Sequence, residues 1–168
     1  MLPQVKHILY ATNLGQHTRP VFRHAVQLAH LYGAKISMLH ALEPLSDYGH
    51  AIVEHYVAKE ALQKIHQEGM ERVRQTMQTR VQAFVDEELQ QLGLTHLDID
   101  YLIDEGVPSE LILEYAQAQN VDLIVLGSHS EHGFFGRKLL GDTAHQVSLH
   151  AQVPVLVVPN KHQTPPKK

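Results

Sequence analysis

Apolar residues follow two rhythms along this chain. Short apolar runs lie within Val5–Thr12, Lys35–Ala41, Leu97–Ile103, Leu123–Leu126 and Val153–Val158, bounded by Gly, Pro, Asn or Asp, and these read as strands. Between them, apolar positions recur at helical spacing. Val21, Phe22, Ala25, Leu28, Ala29 and Tyr32 fall on one helical face. That helix starts at Thr18-Arg19-Pro20, where the missing proline N–H costs nothing, and Gly33 ends it. Leu111, Ile112, Tyr115 and Ala116 make a second stripe after the turn Gly106-Val107-Pro108-Ser109-Glu110, and Asp142 to His150 is the last helix. Strand and helix alternate, which predicts a parallel sheet built from right-handed βαβ units. Pro154 places the last strand at an edge, or sits at that strand's end. Residues 1–160 read as one domain, and the Pro- and Lys-rich residues 161–168 as a flexible tail.

The connection from Glu43 to His96 is long. Its apolar positions (Ala61, Ile65, Val73, Met77, Val81, Phe84, Val85, Leu89, Leu92) keep helical spacing. An unbroken helix from His55 to Gln91 reaches ~55 Å at ~1.5 Å per residue. A compact domain of this size has a radius of gyration of only ~15 Å. The expectation is therefore a break at Gly69, with Glu71–Gln91 packed on the sheet and Ser46–Glu68 mobile or facing a partner.

Composition narrows the function. The 168 residues are 43% hydrophobic, enough for a substantial core, and contain no cysteine. Disulfides, thiolate zinc sites and a Cys nucleophile are excluded, and a reducing compartment fits. The first ten residues hold Pro3, Lys6 and His7 and no long apolar stretch, so a cytoplasmic protein without a membrane partner is expected. A net charge of −4 without a basic block gives no support for a nucleic-acid partner. The 14 histidines are scattered, without a His-Glu-x-x-His pattern, and read as solvated or capping residues rather than metal ligands.

The segment Asp122-Leu-Ile-Val-Leu-Gly-Ser-His129, followed by Leu139-Leu-Gly-Asp142, carries the candidate chemistry. An apolar strand ends at Gly127, and Gly141 opens the next helix. Strand, glycine turn and helix N-terminus are the parts of a phosphate-binding crevice.

With Ile8-Leu-Tyr-Ala-Thr-Asn13, Gly106-Val-Pro108 and Val153-Pro-Val-Leu-Val-Val158 in the same order, the chain resembles a single-domain universal stress protein from Ile8 to Val158. The resemblance implies an α/β fold of the adenine nucleotide α-hydrolase-like kind. That is a doubly wound, five-stranded parallel sheet in the order 3-2-1-4-5, with helices on both faces. It implies ATP or AMP between strands one and four. Thr12, Asn13 and Ala41 would then face the adenosine. Leu126, Gly127, His129, Ser130, Gly141, Asp142 and Thr143 would line the phosphate side. It also implies a homodimer through Val153–Val158 acting on a protein partner in the stress response.

The family's ATP-binding branch spaces its loop as Gly, two residues, Gly, nine residues, Gly, then Ser or Thr. Here Ser130 replaces the second glycine, the stretch to Gly141 is one residue longer, Asp142 replaces the Ser or Thr, and Asn13 replaces a common aspartate. Ser130 lacks glycine's freedom but keeps a donor. Asp142 suits a helix N-cap, yet its carboxylate repels phosphate unless a cation such as Mg2+ bridges the two. His129, His132, Arg137 and Lys138 add positive character. Two readings stay open: a nucleotide-binding regulator, and a nucleotide-independent interaction module with a vestigial loop. Catalysis is not expected, because no Walker A, Gly-x-Ser-x-Gly or His-x-Gly-His motif occurs.

Overall fold

A computed structural model describes residues 2–14, 18–42, 59–94, 96–128 and 141–159. The element order is β1 (His7–Ala11), α1 (Thr18–Tyr32), β2 (Lys35–Leu42), α2 (Lys59–Gln91), β3 (Ile99–Glu105), α3 (Pro108–Ala118), β4 (Leu123–Gly127), α4 (Asp142–His150) and β5 (Val155–Val158). The five strands form one sheet in the order β3-β2-β1-β4-β5, and every pairing is parallel. The α/β architecture matches the expected one.

Side-chain alternation along the strands builds a core on each face. Ile8 and Tyr10 of β1, with Ile36 and Met38 of β2, pack against Phe22, Ala25 and Ala29 of α1 and Val81 and Val85 of α2. Leu9, Leu39 and Ile124 point the other way, against Ile112 and Ala116 of α3 and Ala144 and Val147 of α4. Phe22 is the hinge of the first core, with ring centroids 5.7 Å from Tyr10 and 5.2 Å from Phe84. Tyr32, expected on the buried face of α1, is 55% exposed, and Val26 takes the buried position instead. Beyond Tyr32 the helix unwinds at Gly33 (φ 63°), a left-handed conformation that glycine adopts without strain, and Ala34 N–H returns to Ala29 C=O at 2.9 Å.

Helix α2 overturns the predicted break. It runs 33 residues without interruption through Gly69, about 50 Å at ~1.5 Å per residue. The size argument fails because the helix does not stay within the packed body. Its burial sits at Val81, Val85 and Glu88, while upstream Ile65 is 61% exposed. A lone glycine costs a helix only ~1 kcal/mol. Side-chain bonds along the helix, such as Gln75 to Glu71 and Gln82 to Asp86, support the solvated turns. Of the segment Ser46–Glu68, the part from Lys59 onward is therefore helix. Residues 46–58 lie outside the described residues, as does the tail at 161–168.

Strand β3 begins two residues later than expected and extends through Asp104 and Glu105, paired with Ala41 and Leu42. Charges are tolerated there because Asp104 meets Arg74 at 3.2 Å and Glu105 meets His66 at 3.0 Å. Strand β5 lies at the sheet edge and starts after Pro154, whose carbonyl accepts the Ile124 amide at 3.0 Å.

Candidate functional site

The chain adds strands outward from β1 in both directions, so β1 and β4 are neighbours at the point where strand order reverses. In such sheets the crevice outside the strands' carboxyl ends is where ligands lie. Here its floor is the end of β1 and the end of β4.

On the β4 side, Gly127 pairs with Val158, and Ser128 N–H donates to Val158 C=O at 2.9 Å. The chain leaves at Ser128 and is back at Gly141, whose N–H donates to Ser128 C=O at 3.0 Å. That bond brings the two glycines of the expected crevice together. Gly141 is the N-cap of α4, and among the described residues no side-chain cap bond is made there. Asp142 is thus the first helical residue, exposed, and not the N-cap that its type suggested. Glycine takes the cap because the backbone bond to Ser128 already fixes the entry of the helix. The amides of Asp142, Thr143 and Ala144 have no acceptor inside the helix, whose first bond runs from His145 N–H to Gly141 C=O at 2.9 Å. The Asp142 carboxylate sits favourably in this positive first turn.

On the β1 side, Thr12 is committed to structure. Its N–H donates to Leu39 C=O at 2.9 Å, its carbonyl accepts from His40 Nδ1 at 2.9 Å, and its hydroxyl oxygen accepts the Leu14 amide at 3.0 Å. The last bond supports Leu14 at φ 57°, a left-handed conformation costing an L-residue ~1–2 kcal/mol. The turn after Thr12 is therefore strained and braced. Asn13 is exposed in that turn, and Ala41 lies half-buried at the end of β2.

Expected site residues divide accordingly. Gly127, Gly141, Asp142 and Thr143 gather at the β4–α4 side, and Thr12 and Asn13 at the end of β1. Leu126 turns its side chain into the second core, as strand alternation dictates, and leaves only its backbone toward the end of β4. His129 and Ser130, with His132, Arg137 and Lys138, lie outside the described residues.

Two residues were missed. Tyr10 is fully buried beneath the crevice, its hydroxyl donating to Thr18 C=O at 3.4 Å and also bonded to the Thr12 side chain. Burial pushes its hydroxyl well above the ordinary tyrosine range. His40 is the other, and its signal was a polar residue inside the apolar run Met38-Leu39-His40-Ala41.

Among the described residues, no group of three metal-ligating side chains converges, and no helix is long and apolar enough to cross a membrane. An open parallel sheet with helices on both faces, its strand order reversing between β1 and β4, defines the class, a doubly wound α/β protein. The comparisons narrow it. The chain matches the universal stress protein family over residues 4–159, and it belongs to that family. It is 32% identical to a universal stress protein of Thermus aquaticus over 155 residues, covering 91% of this chain and 98% of that one. The fold is shared with the solved hypothetical protein MJ0577 of Methanocaldococcus jannaschii, with a TM-score of 0.65 and 21% identity over 94% of this chain and 98% of that one. It is shared too with a universal stress protein solved in complex with cAMP, with a TM-score of 0.62 and 19% identity over 94% and 99% of the two chains.

Proposed function

We propose that this protein is a nucleotide-binding regulator of the stress response, holding ATP or AMP in the crevice between β1 and β4. The observation that carries the reading is the Gly141 N–H to Ser128 C=O bond, which sets the N-terminus of α4 at the mouth of the crevice. The amides of Asp142, Thr143 and Ala144 are the donors for phosphate oxygens there. The exposed Asp142 carboxylate repels those oxygens, and Asp142 is the residue that would hold a Mg2+ ion, which would supply the neutralising charge. One carboxylate fits an ion that binds mainly through the nucleotide's own phosphates. The structural neighbour with bound cAMP supports an adenine nucleotide as the ligand class. The role is binding rather than turnover.

Strand β5 supports a homodimer. It pairs with β4 on one side, and among the described residues its other edge pairs with nothing. Val153, Val155 and Val157 pack on one core while Leu156 and Val158 pack on the other, so the edge is apolar on both faces. A cytoplasmic dimer that contacts a protein partner completes the reading.

The Asp142 carboxylate also favours the second reading, an interaction module that no longer binds nucleotide. Titration of the protein with a fluorescent ATP analogue, with and without Mg2+, separates the two. Saturable binding in the micromolar range is expected. No saturation up to millimolar analogue would leave the interaction module standing. Sedimentation velocity across concentrations reads the dimer.

A further inference from the structure

The ladder between β1 and β2 ends in an unusual way. Lys35 N–H donates to Lys6 C=O at 3.0 Å, and Thr12 N–H donates to Leu39 C=O at 2.9 Å. The odd-numbered residues of β2 therefore face β1, and the next bond of a parallel ladder would run from Ala41 N–H to Thr12 C=O. Among the described residues that bond is not made, and the pairing stops at Ala11 with Leu39. The Thr12 carbonyl is taken instead by the His40 imidazole, at 2.9 Å from Nδ1. A carbonyl only accepts, so Nδ1 carries the hydrogen in this contact. His40 is 9% exposed, which makes the contact a fixed part of the interior rather than a surface accident.

We infer that His40 is a positioning residue that keeps the crevice open by holding the Thr12 carbonyl out of reach of the Ala41 amide. The inference rests on the nucleotide-binding reading for its consequence, but not for its mechanism. With Thr12 held by the imidazole, β1 parts from β2 one bond early. The turn at Asn13 and Leu14 begins there, braced by the Thr12 hydroxyl. The Ala41 amide is left aimed into the gap where β1 has departed. An amide in that place is a donor for a ring nitrogen of a purine, and a fixed main-chain group reads the base without an entropy cost of side-chain ordering. Without His40, Ala41 N–H and Thr12 C=O would complete the ladder and spend the donor.

Two variants separate this role from mere packing. His40→Leu removes the donor and keeps bulk. His40→Asn returns an amide N–H close to the position of Nδ1. The first readout is amide hydrogen exchange at Ala41 in the nucleotide-free protein. Exchange at Ala41 is expected to slow at least tenfold in His40→Leu relative to wild type and to stay near wild type in His40→Asn. The second readout is affinity for the fluorescent ATP analogue, expected to fall about tenfold in His40→Leu, the equivalent of one lost hydrogen bond, and to recover in His40→Asn. Unchanged Ala41 exchange in a folded His40→Leu protein overturns the inference. So does slowed exchange without a loss of affinity in a protein whose wild type binds. If the wild type binds no nucleotide, the proposed function falls while the exchange measurement still decides the role of His40.

Discussion

Arg23 Nε donates to Glu88 Oε2 at 2.8 Å, and Glu88 is wholly buried while Arg23 remains half-exposed. This pair clamps the C-terminal half of α2 to α1. The hydrogen bond to Glu88 raises the Arg23 guanidinium further above its ordinary value. Arg19 Nη1 lies 3.1 Å from the second carboxylate oxygen, but among the described residues no well-aligned hydrogen bond reaches that oxygen. A buried carboxylate stripped of a partner is costly, whereas removing the carboxylate leaves two arginines that water can solvate. Glu88→Met is therefore expected to stay within about 1 kcal/mol of wild type in urea unfolding. Arg23→Ala should lower the urea midpoint clearly. The reverse order would show that the clamp contributes net stability as an ion pair.

Gly69 is the opposite case, a residue with room to improve. It lies inside α2, at ordinary helical φ, and a Cβ built there meets no atom within 4 Å. Gly69→Ala should stabilise the protein by roughly 0.5–1 kcal/mol through helix propensity alone. A thermal melt raised by a few degrees supports a continuous helix in solution. A lowered melting temperature would mean that a bend at Gly69 is present after all.

That glycine also shows where the sequence was legible and where it was not. Strand positions such as Ile8–Tyr10 and Leu123–Leu126 are apolar because both faces of the sheet are covered, and such runs announce themselves. The face of α1 through Val21, Phe22, Ala25 and Ala29 was equally plain. A domain's overall size does not bound one element: nothing local in Lys59–Arg80 says whether a helix ends or simply leaves the packed body. At the site, Gly127 and Gly141 were readable because glycine marks turns. The His40 contact was not, since a polar residue in an apolar run marks the position but not its partner, which depends on β1 parting from β2 at Thr12. Glu88 reads as one more charge on a polar helix, and only the approach of Arg19 and Arg23 from α1 explains its burial.

At the opposite end of the sheet, His7 gives the fold a pH dependence. Its ring lies between Gln119 C=O, at 3.1 Å from Nδ1, and the Ser37 hydroxyl, at 2.7 Å from Nε2. Nδ1 donates to the carbonyl, so neutral Nε2 accepts from Ser37. Burial lowers its pKa below the ordinary value of 6.5, against the opposing pull of the Gln119 carbonyl; Lys35 lowers it further, and Asp122 and Asp100 raise it. The unfolded chain thus binds the proton more readily than the fold. Stability is fully present above about pH 6.5 and is lost as pH falls from there toward the lower folded value. Urea midpoints measured from pH 7.5 to 5 should decline for wild type and decline less for His7→Gln. Parallel curves for the two proteins would remove His7 as the source.

Asp142 should couple stability and phosphate binding with opposite signs. Its carboxylate lies in the first turn of α4, where it complements the helix dipole by about 0.3–1 kcal/mol. The same charge stands beside the amides proposed to receive phosphate. Asp142→Ser removes the repulsion and leaves a hydroxyl donor, so affinity for the ATP analogue without Mg2+ is expected to rise several-fold, while the urea midpoint falls slightly. With Mg2+ present the gain should shrink, because the cation already screens the carboxylate in wild type. A gain equal with and without the metal would place Mg2+ away from Asp142. A loss of affinity in both conditions would mean that the carboxylate itself contacts the ligand through a donor, with ribose or base rather than phosphate at the head of α4.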